Sequence, residues 1–298
     1  MGESRLRSSS TFVLRRLGGQ AVGATVVGLV PPQGQGGWPV RRFISAVASG
    51  ALLATLVAAG LPGVAAASSC TTVSTSKGDM TAAVVDQSLS GATIAATGCQ
   101  IGVYYSTPGS YTVTGSSITN ATYYGIFVDG ITGDVSVDVT DSTISNIGDS
   151  PFDGNQYGVA VYYYGYGTTG TVSGTVSGNT VSQYQKGGIV VSGTNAAVDV
   201  TDNMVTGLGP VPFIAQNGIQ FGYGASGSAT GNTITGNAYS GSGYVSAGLL
   251  LFDVAANAVS TSNNHYSGNQ RNRVLVTTQA CPSMYGGVYG SWDICISN

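Results

Sequence analysis

One short phrase recurs at nearly constant spacing along the middle of the chain. It reads Gly125-Ile-Phe-Val128, Gly158-Val-Ala-Val161, Gly188-Ile-Val-Val191, Gly218-Ile-Gln-Phe221 and Gly248-Leu-Leu-Leu251, in steps of 33, 30, 30 and 30 residues. A second phrase keeps time with it: Asp141-Ser-Thr-Ile144, Gly178-Asn-Thr-Val181, Asp202-Asn-Met-Val205, Gly231-Asn-Thr-Ile234 and, degraded, Ser262-Asn-Asn-His265. Two phrases in step over five turns specify a solenoid, in which each repeat buries its apolar face against its neighbours. The 46 glycines and the 8% of charged residues suit short strands joined by tight turns, and suit neither helices nor disorder.

Within the second phrase, period-2 alternation turns Val139 and Ile144 inward and Thr143 and Ser145 outward. The two residues between the strands must turn the chain. Their second position reads Ser142, Asn179, Asn203, Asn232 and Asn263. Asn tolerates the left-handed backbone of such a corner, and stacked Asn amides can bond from coil to coil. Ile144, Val181, Val205 and Ile234 form an inward ladder, and His265 follows in the slot of Ile234.

The 30-residue coil, the Asn corner and the glycine-led strand resemble right-handed parallel β-helix proteins of the pectin-lyase-like group over roughly residues 90–276. The resemblance implies an all-β, single-stranded right-handed parallel β-helix, and an antiparallel sandwich would not need equal steps. It does not fix an activity, because that fold carries lyases, hydrolases, epimerases and adhesins.

Before the coils, Arg41-Arg42, the apolar run 43–61 and Ala65-Ala66-Ala67 form a secretory signal, with cleavage expected after Ala67; the competing reading is a membrane anchor. Residues 1–39 have no periodicity, and Val40 is a candidate for the true first residue. The export route stays open, since Arg41-Arg42-Phe43 is near a twin-arginine signal but lacks its spacer. The four cysteines follow the cleavage point. They point to disulfides, most simply Cys70–Cys99 and Cys281–Cys295, that close both ends in an oxidising compartment. A lipid-anchored Cys70 is a minor alternative.

The expected organisation is thus a leader at 1–67, an N-terminal cap and first coil at 68–105, repeats at 106–276 and a C-terminal cap at 277–298 with Trp292 packed on the last coil. Asp79 to Leu89 reads as a short capping helix, with Asp79 as N-cap and Met80, Val84 and Val85 at helical spacing. The mature protein is expected to be a secreted monomer without a membrane span.

Beyond residue 43 the chain keeps only Lys77, Lys186, Arg271 and Arg273 against twelve aspartates, a net charge of −8. Such a body repels nucleic acid, whose binding needs clustered cations.

A longer echo relates residues 137–152 to 198–213, a shift of 61 residues or two coils. Loops 146–157 and 207–217 therefore leave the same side of the solenoid roughly 10 Å apart, with loop 183–187 between them. Lys186 lies on the middle loop, with Asp149 and Asp153 on the coil before and Gln216 and Asn217 on the coil after. Asp138 and Asp199 share another outward column, with Thr175 between them.

The resemblance to pectate lyases implies grouped carboxylates for calcium and an Arg or Lys base. Lys186 with Asp149 and Asp153 is the one candidate set, and calcium enters only under that reading. The four hydrolase motifs of polygalacturonases do not occur. No metal site or other cofactor is expected.

Tyr123, Tyr124, Tyr157, Tyr162, Tyr163, Tyr164, Tyr166 and Tyr184 crowd three successive coils beside these loops, and Phe152 and Phe213 sit within them. Tyrosine offers an apolar face for a sugar ring and a hydroxyl at its edge. The leading expectation is therefore a module that binds polysaccharide or a cell-surface glycan through Tyr157, Tyr162, Tyr164, Tyr184, Phe152, Phe213, Gln216 and Asn217. A lyase at Lys186 is the alternative. An ice-binding or adhesin-like surface, suggested by outward Thr143, Thr180 and Thr233 and broken by Met204, is the second alternative.

Overall fold

Each coil spends its residues on three strands, one for each of three sheets. A representative turn runs through Tyr124–Asp129 in the first sheet, Val135–Thr140 in the second and Thr143–Ile147 in the third, before Val159–Tyr164 re-enters the first. A computed structural model describes residues 69–277 and 293–295 with their side chains, and the backbone alone of 13–15, 21–23, 64–66 and 296–297. The three sheets hold ten, seven and eight strands, and about seven coils form a parallel β-solenoid. Among the described residues there is no helix, and the antiparallel pairs are Val13–Arg15 with Ala21–Gly23 and Thr71–Thr75 with Gly78–Val85.

The interior is a set of vertical ladders. Ile94, Ile118, Ile144, Val181, Val205 and Ile234 stack in the third sheet, and Val103, Ile126, Val161, Ile189, Ile219 and Leu249 in the first, all buried. The phrase glycine sits where these two ladders meet. A Cβ on Gly218 would lie 2.5 Å from Ile234 Cγ2 and 2.7 Å from the carbonyl of Gly248 in the next coil, so no larger side chain enters without displacing the core.

Register follows these contacts rather than equal steps. Val161 pairs with Ile126 before it and Ile189 after it, steps of 35 and 28 residues. Ala160, not Gly158, therefore holds the phrase position in that coil. The insertion between 147 and 158 absorbs the difference.

The corners divide their work between two residues. The first takes the left-handed conformation, as at Asp141 (φ 51°), Gly178 (68°), Asp202 (55°) and Gly231 (71°). The second is buried and bonds along the solenoid axis. Ser142 N donates to Asn179 Oδ1 at 2.9 Å, Asn179 N to Asn203 Oδ1 at 3.0 Å, Asn203 N to Asn232 Oδ1 at 3.0 Å and Asn232 N to Asn264 Oδ1 at 2.9 Å. Each of the first three Asn Nδ2 groups also donates to the next Asn Oδ1 and to a backbone carbonyl (Val139, Val176 and Val200).

The ladder corrects the last corner by one residue. Asn263 is left-handed and Asn264 carries the ladder, so Tyr266 follows Ile234 while exposed His265 follows Thr233. The expected interior position for His265 is therefore wrong.

The expected capping helix over 79–89 is also absent. Gly78–Val85 is a strand whose Ala82, Val84 and Val85 pair with Ile101, Val103 and Tyr104. Met80, Val84 and Val85 satisfy helical spacing, but Met80, Ala82 and Val84 satisfy period 2, and an open sheet edge decides between them. The Cys70–Cys99 disulfide closes this end. Cys295 is disulfide-bonded as well, whereas Cys281, Trp292 and the signal residues 40–63 lie outside the described residues. Among the described residues no helix is long and apolar enough to cross a membrane.

Replacing Asn203 with Ala strips the acceptor from Asn179 N and Nδ2 and the donor from Val176 O. At about 1–3 kcal/mol for each buried group left unsatisfied, Asn203→Ala is expected to cost roughly 2–5 kcal/mol in urea denaturation. Exposed Thr180→Ala is expected to stay within about 0.5 kcal/mol. Equal, small losses for both would contradict a structural ladder.

Candidate functional site

Two surfaces collect side chains with chemistry. The first is the loop face. Its organiser is Gln185, which is fully buried and follows directly on the strand Thr180–Tyr184, where Gln183 takes a left-handed backbone (φ 50°). Its Oε1 accepts from Asp149 N (3.0 Å) and Asp153 N (3.2 Å), and its Nε2 donates to Asp149 Oδ2 (3.3 Å), Asp153 Oδ1 (3.1 Å) and Asn155 O (2.9 Å). Gly148 and Gly158 close the loop on this residue, where a Cβ on either would stand 2.6 or 2.5 Å from Gln185 Cβ.

Tyr157 stacks on Tyr123 at 4.1 Å between centroids and 15° between planes, and donates to Asp149 Oδ1 at 3.0 Å. Burial alone would raise the Asp149 pKa. The hydrogen bonds from Asn155, Tyr157 and Gln185 together outweigh it and hold the carboxyl below its usual range.

Lys186 is not gathered into this network. Its Nζ donates to Ala215 O at 2.9 Å, and burial lowers its pKa to about 8 with no carboxylate opposing the shift. Gln216 is buried like Gln185, donating to the carbonyls of Tyr184 and Gln185 while accepting from Leu208 N. Among the described residues no group of three or more His, Cys or Asp side chains could hold a metal ion.

The structure also sorts the tyrosines. Tyr184 lies wholly inside, its hydroxyl 2.6 Å from Asn237 Oδ1, and Tyr163 points inward to donate to Val137 O. Tyr162, Gln216 and Asn217 are buried too, so these expected contact residues leave the surface, while Tyr157, Tyr164 and Phe152 are half-buried and Phe213 is exposed. Asp138 and Asp199 flank Thr175 in one outward column, and the outward column Thr143, Thr180, Met204, Thr233 is interrupted by exposed Met204 as the sequence implied.

The second surface is the outer face of the first sheet with the turns that follow its strands, where Tyr124, Phe127, Tyr162 and Phe252 are buried and Tyr164, Tyr166 and Tyr223 reach solvent. Its rings form an unbroken row in which Tyr124, Phe127, Tyr162, Tyr164, Tyr166, Tyr223 and Phe252 each lie 4.6–6.5 Å from the next along the chain of contacts. Tyr166 bridges two coils to reach Tyr223, because the coil between presents Gly193, whose Cβ would fall 2.1 Å from Tyr166 N. At 55% exposure Tyr166 is the most open ring of the row.

The N-terminal half of the row is covered by the tip of the hairpin 71–85. Ser76 donates to Asp129 through N (2.8 Å) and Oγ (2.5 Å), and Tyr104 OH donates to Ser74 O at 3.0 Å. The Lys77 ammonium stands 4.0 Å from the Tyr164 ring centroid and 5.5 Å from that of Tyr162. Burial lowers the Lys77 pKa to about 8 against the attraction of Asp129, while burial raises the pKa of Asp129 against its hydrogen bonds.

Sequence reasoning missed Lys77, Asp129, Tyr223 and Phe252. The available signal was position. Asp129 is the residue that follows the phrase Gly125-Ile-Phe-Val128, Phe252 follows its counterpart Gly248-Leu-Leu-Leu251, and Tyr223 stands one place further on, after Gly222.

Comparison of the chain with protein-family models, with curated proteins and with solved structures gives no match.

The two lysines make a testable contribution to stability. Both pKa values are lowered to about 8 from 10.5, so between those limits the unfolded chain holds protons that the native state has released, and stability rises with pH. Urea midpoints are expected to climb from pH 8 to about 9.5 in the native protein and to stay level in a Lys77→Met/Lys186→Met variant over the same range. A native midpoint that falls across that window would contradict the buried amines.

Proposed function

We propose that this chain is an exported, monomeric, right-handed β-helix module of the pectin-lyase-like group that binds polysaccharide or a cell-surface glycan through the outer aromatic face of its first sheet. One observation carries the reading: the row of rings that continues from beneath the hairpin into Tyr164, Tyr166 and Tyr223, with Tyr166 largely open to solvent. Burying an aromatic face is a large apolar gain, and the phenol keeps a hydroxyl for the edge of a sugar. Tyr164 ends a strand of the first sheet and Tyr166 and Tyr223 stand in the short turns that follow its strands, so little ordering is left for binding to impose. The Cys70–Cys99 disulfide supports export to an oxidising compartment.

The lyase reading has one observation in its favour, the Lys186 amine near pH 8. Against it, Ala215 O holds that amine while Gln185, Asn155 and Tyr157 engage Asp149. Binding is therefore the better supported function.

An array of soluble glycans probed with the full chain and with Tyr166→Ala tests the proposal. The variant is expected to lose at least about tenfold in affinity, the scale of one anchoring aromatic, without a change in urea midpoint. Undiminished binding by Tyr166→Ala would move the site elsewhere, and a new ultraviolet-absorbing product on a uronate polymer, abolished by Lys186→Ala, would favour the enzyme instead.

A further inference from the structure

We infer that the aromatic row takes a single solvated chain of a neutral polysaccharide, in preference to a uronate or sulfated polymer and to the face of a crystalline one; the inference rests on the glycan-binding reading and narrows its ligand. Charge and ring tilt carry it independently.

The charge comes from the body and from the row itself. Beyond residue 43 the chain bears a net charge of −8, so a polyanion approaches against a like-signed surface. Burial raises the pKa values of Tyr164 and Tyr223, and the carboxylate of Asp129 adds to this at Tyr164, as Tyr166 and then Asp253 do at Tyr223.

Recognition of uronate or sulfate calls for an Arg or Lys with donors free to face the anion. The cation at the row, Lys77, stands over the Tyr164 and Tyr162 rings under the attraction of Asp129. Among the described residues the other cations stand away from the row: Lys186 Nζ is held by Ala215 O on the loop face, and Arg271 and Arg273 lie level with Ala247 and Leu249, toward the other end of the strand from Phe252. A neutral chain meets neither obstacle, because stacking on ring faces and bonding to phenol hydroxyls ask for no counter-charge.

The tilt distinguishes a single chain from a crystal face. A flat lattice touches several rings at once only when they are coplanar. Here Tyr164 and Tyr166 are inclined at 52°, Tyr166 and Tyr223 at 67°, and Tyr223 and Phe252 at 55°. Their centroids are 6.5, 5.5 and 5.1 Å apart, steps comparable to one sugar unit. Phe252 is buried and backs Tyr223, so Tyr164, Tyr166 and Tyr223 are the rings that reach solvent, and turned in this way they follow a chain that twists along its length and can be gripped one unit at a time.

Affinity electrophoresis of the full chain through gels loaded with mixed-linkage β-glucan, galactomannan, polygalacturonate or a sulfated galactan, paired with sedimentation on microcrystalline cellulose, tests the inference. Retardation is expected with at least one of the two neutral polymers. It is expected to persist over a roughly tenfold range of NaCl, as charge-independent contacts should, and to weaken at least about tenfold on the polyanions and in Tyr166→Ala. Equal or stronger retention on a polyanion, retention that salt abolishes, or preferential sedimentation with the crystalline polymer would each overturn it while leaving glycan binding in place. Failure to be retained by any polymer would remove both readings.

Discussion

The buried amide ladder from Ser142 to Asn264 is the constraint that the rest of the structure depends on. Parallel strands stacked about 4.8 Å apart can slide by two residues and still present the same faces. Strand alternation alone therefore does not fix one coil over the next. An Asn whose Oδ1 must accept both N and Nδ2 of its counterpart on the preceding coil does, because a slip of any size leaves these buried groups without partners. The division of labour within each corner follows. A left-handed Asp, Gly or, in the last corner, Asn makes the bend, and the Ser or Asn after it is free to point inward.

Fixing the corners fixes everything that stacks on them. Ile144, Val205 and Ile234 reach the phrase position of the first sheet only if the coils are level, and at those contacts a Cβ would fall 2.5–2.7 Å from the branched side chain, so the position is Gly. The outer rings inherit the same alignment. Tyr166 meets Tyr223 across two coils only because Gly193 lies between them in register. The hairpin tip spans coils as well, tying Ser76 to Asp129 and Lys77 to Tyr164. The balance at Lys77 is a consequence of the cover it forms: burial disfavours its ammonium, while the rings and Asp129 favour it, and burial prevails.

Much of the architecture was legible in the chain because a repeat states its own period. The solenoid, the Asn corners, the inward Ile and Val ladder and the Cys70–Cys99 bridge all follow from positions that recur or pair, whereas the expected loop 207–217 begins as the strand Met204–Val211, and Gly154 approaches Phe213 O instead of standing about 10 Å away. Register within a coil was less legible. The insertion before Val159 lets Gly158 imitate a phrase glycine while Ala160 does the packing, and only the interior contacts reveal which of the two is aligned. The edge strand at 78–85 was read as a helix since its apolar residues satisfy both periods, and its partner at 101–105 is a tertiary fact.

The site was the least legible part, for a chemical reason. Tyrosine is at home inside, outside and between, so residue type alone does not tell Tyr163 and Tyr184, which face the interior, from Tyr162 beneath the hairpin tip or from exposed Tyr166. Stacked amides inside a solenoid make a direct measurement possible. Hydrogen exchange of the side-chain amide protons of Asn179, Asn203 and Asn232, followed by NMR, should show protection that approaches the limit set by global unfolding, together with through-space contacts from each amide to the Asn of the adjacent coil. Exchange at the rate of a solvent-exposed carboxamide, or contacts to residues other than that neighbouring Asn, would contradict the ladder and the register that rests on it.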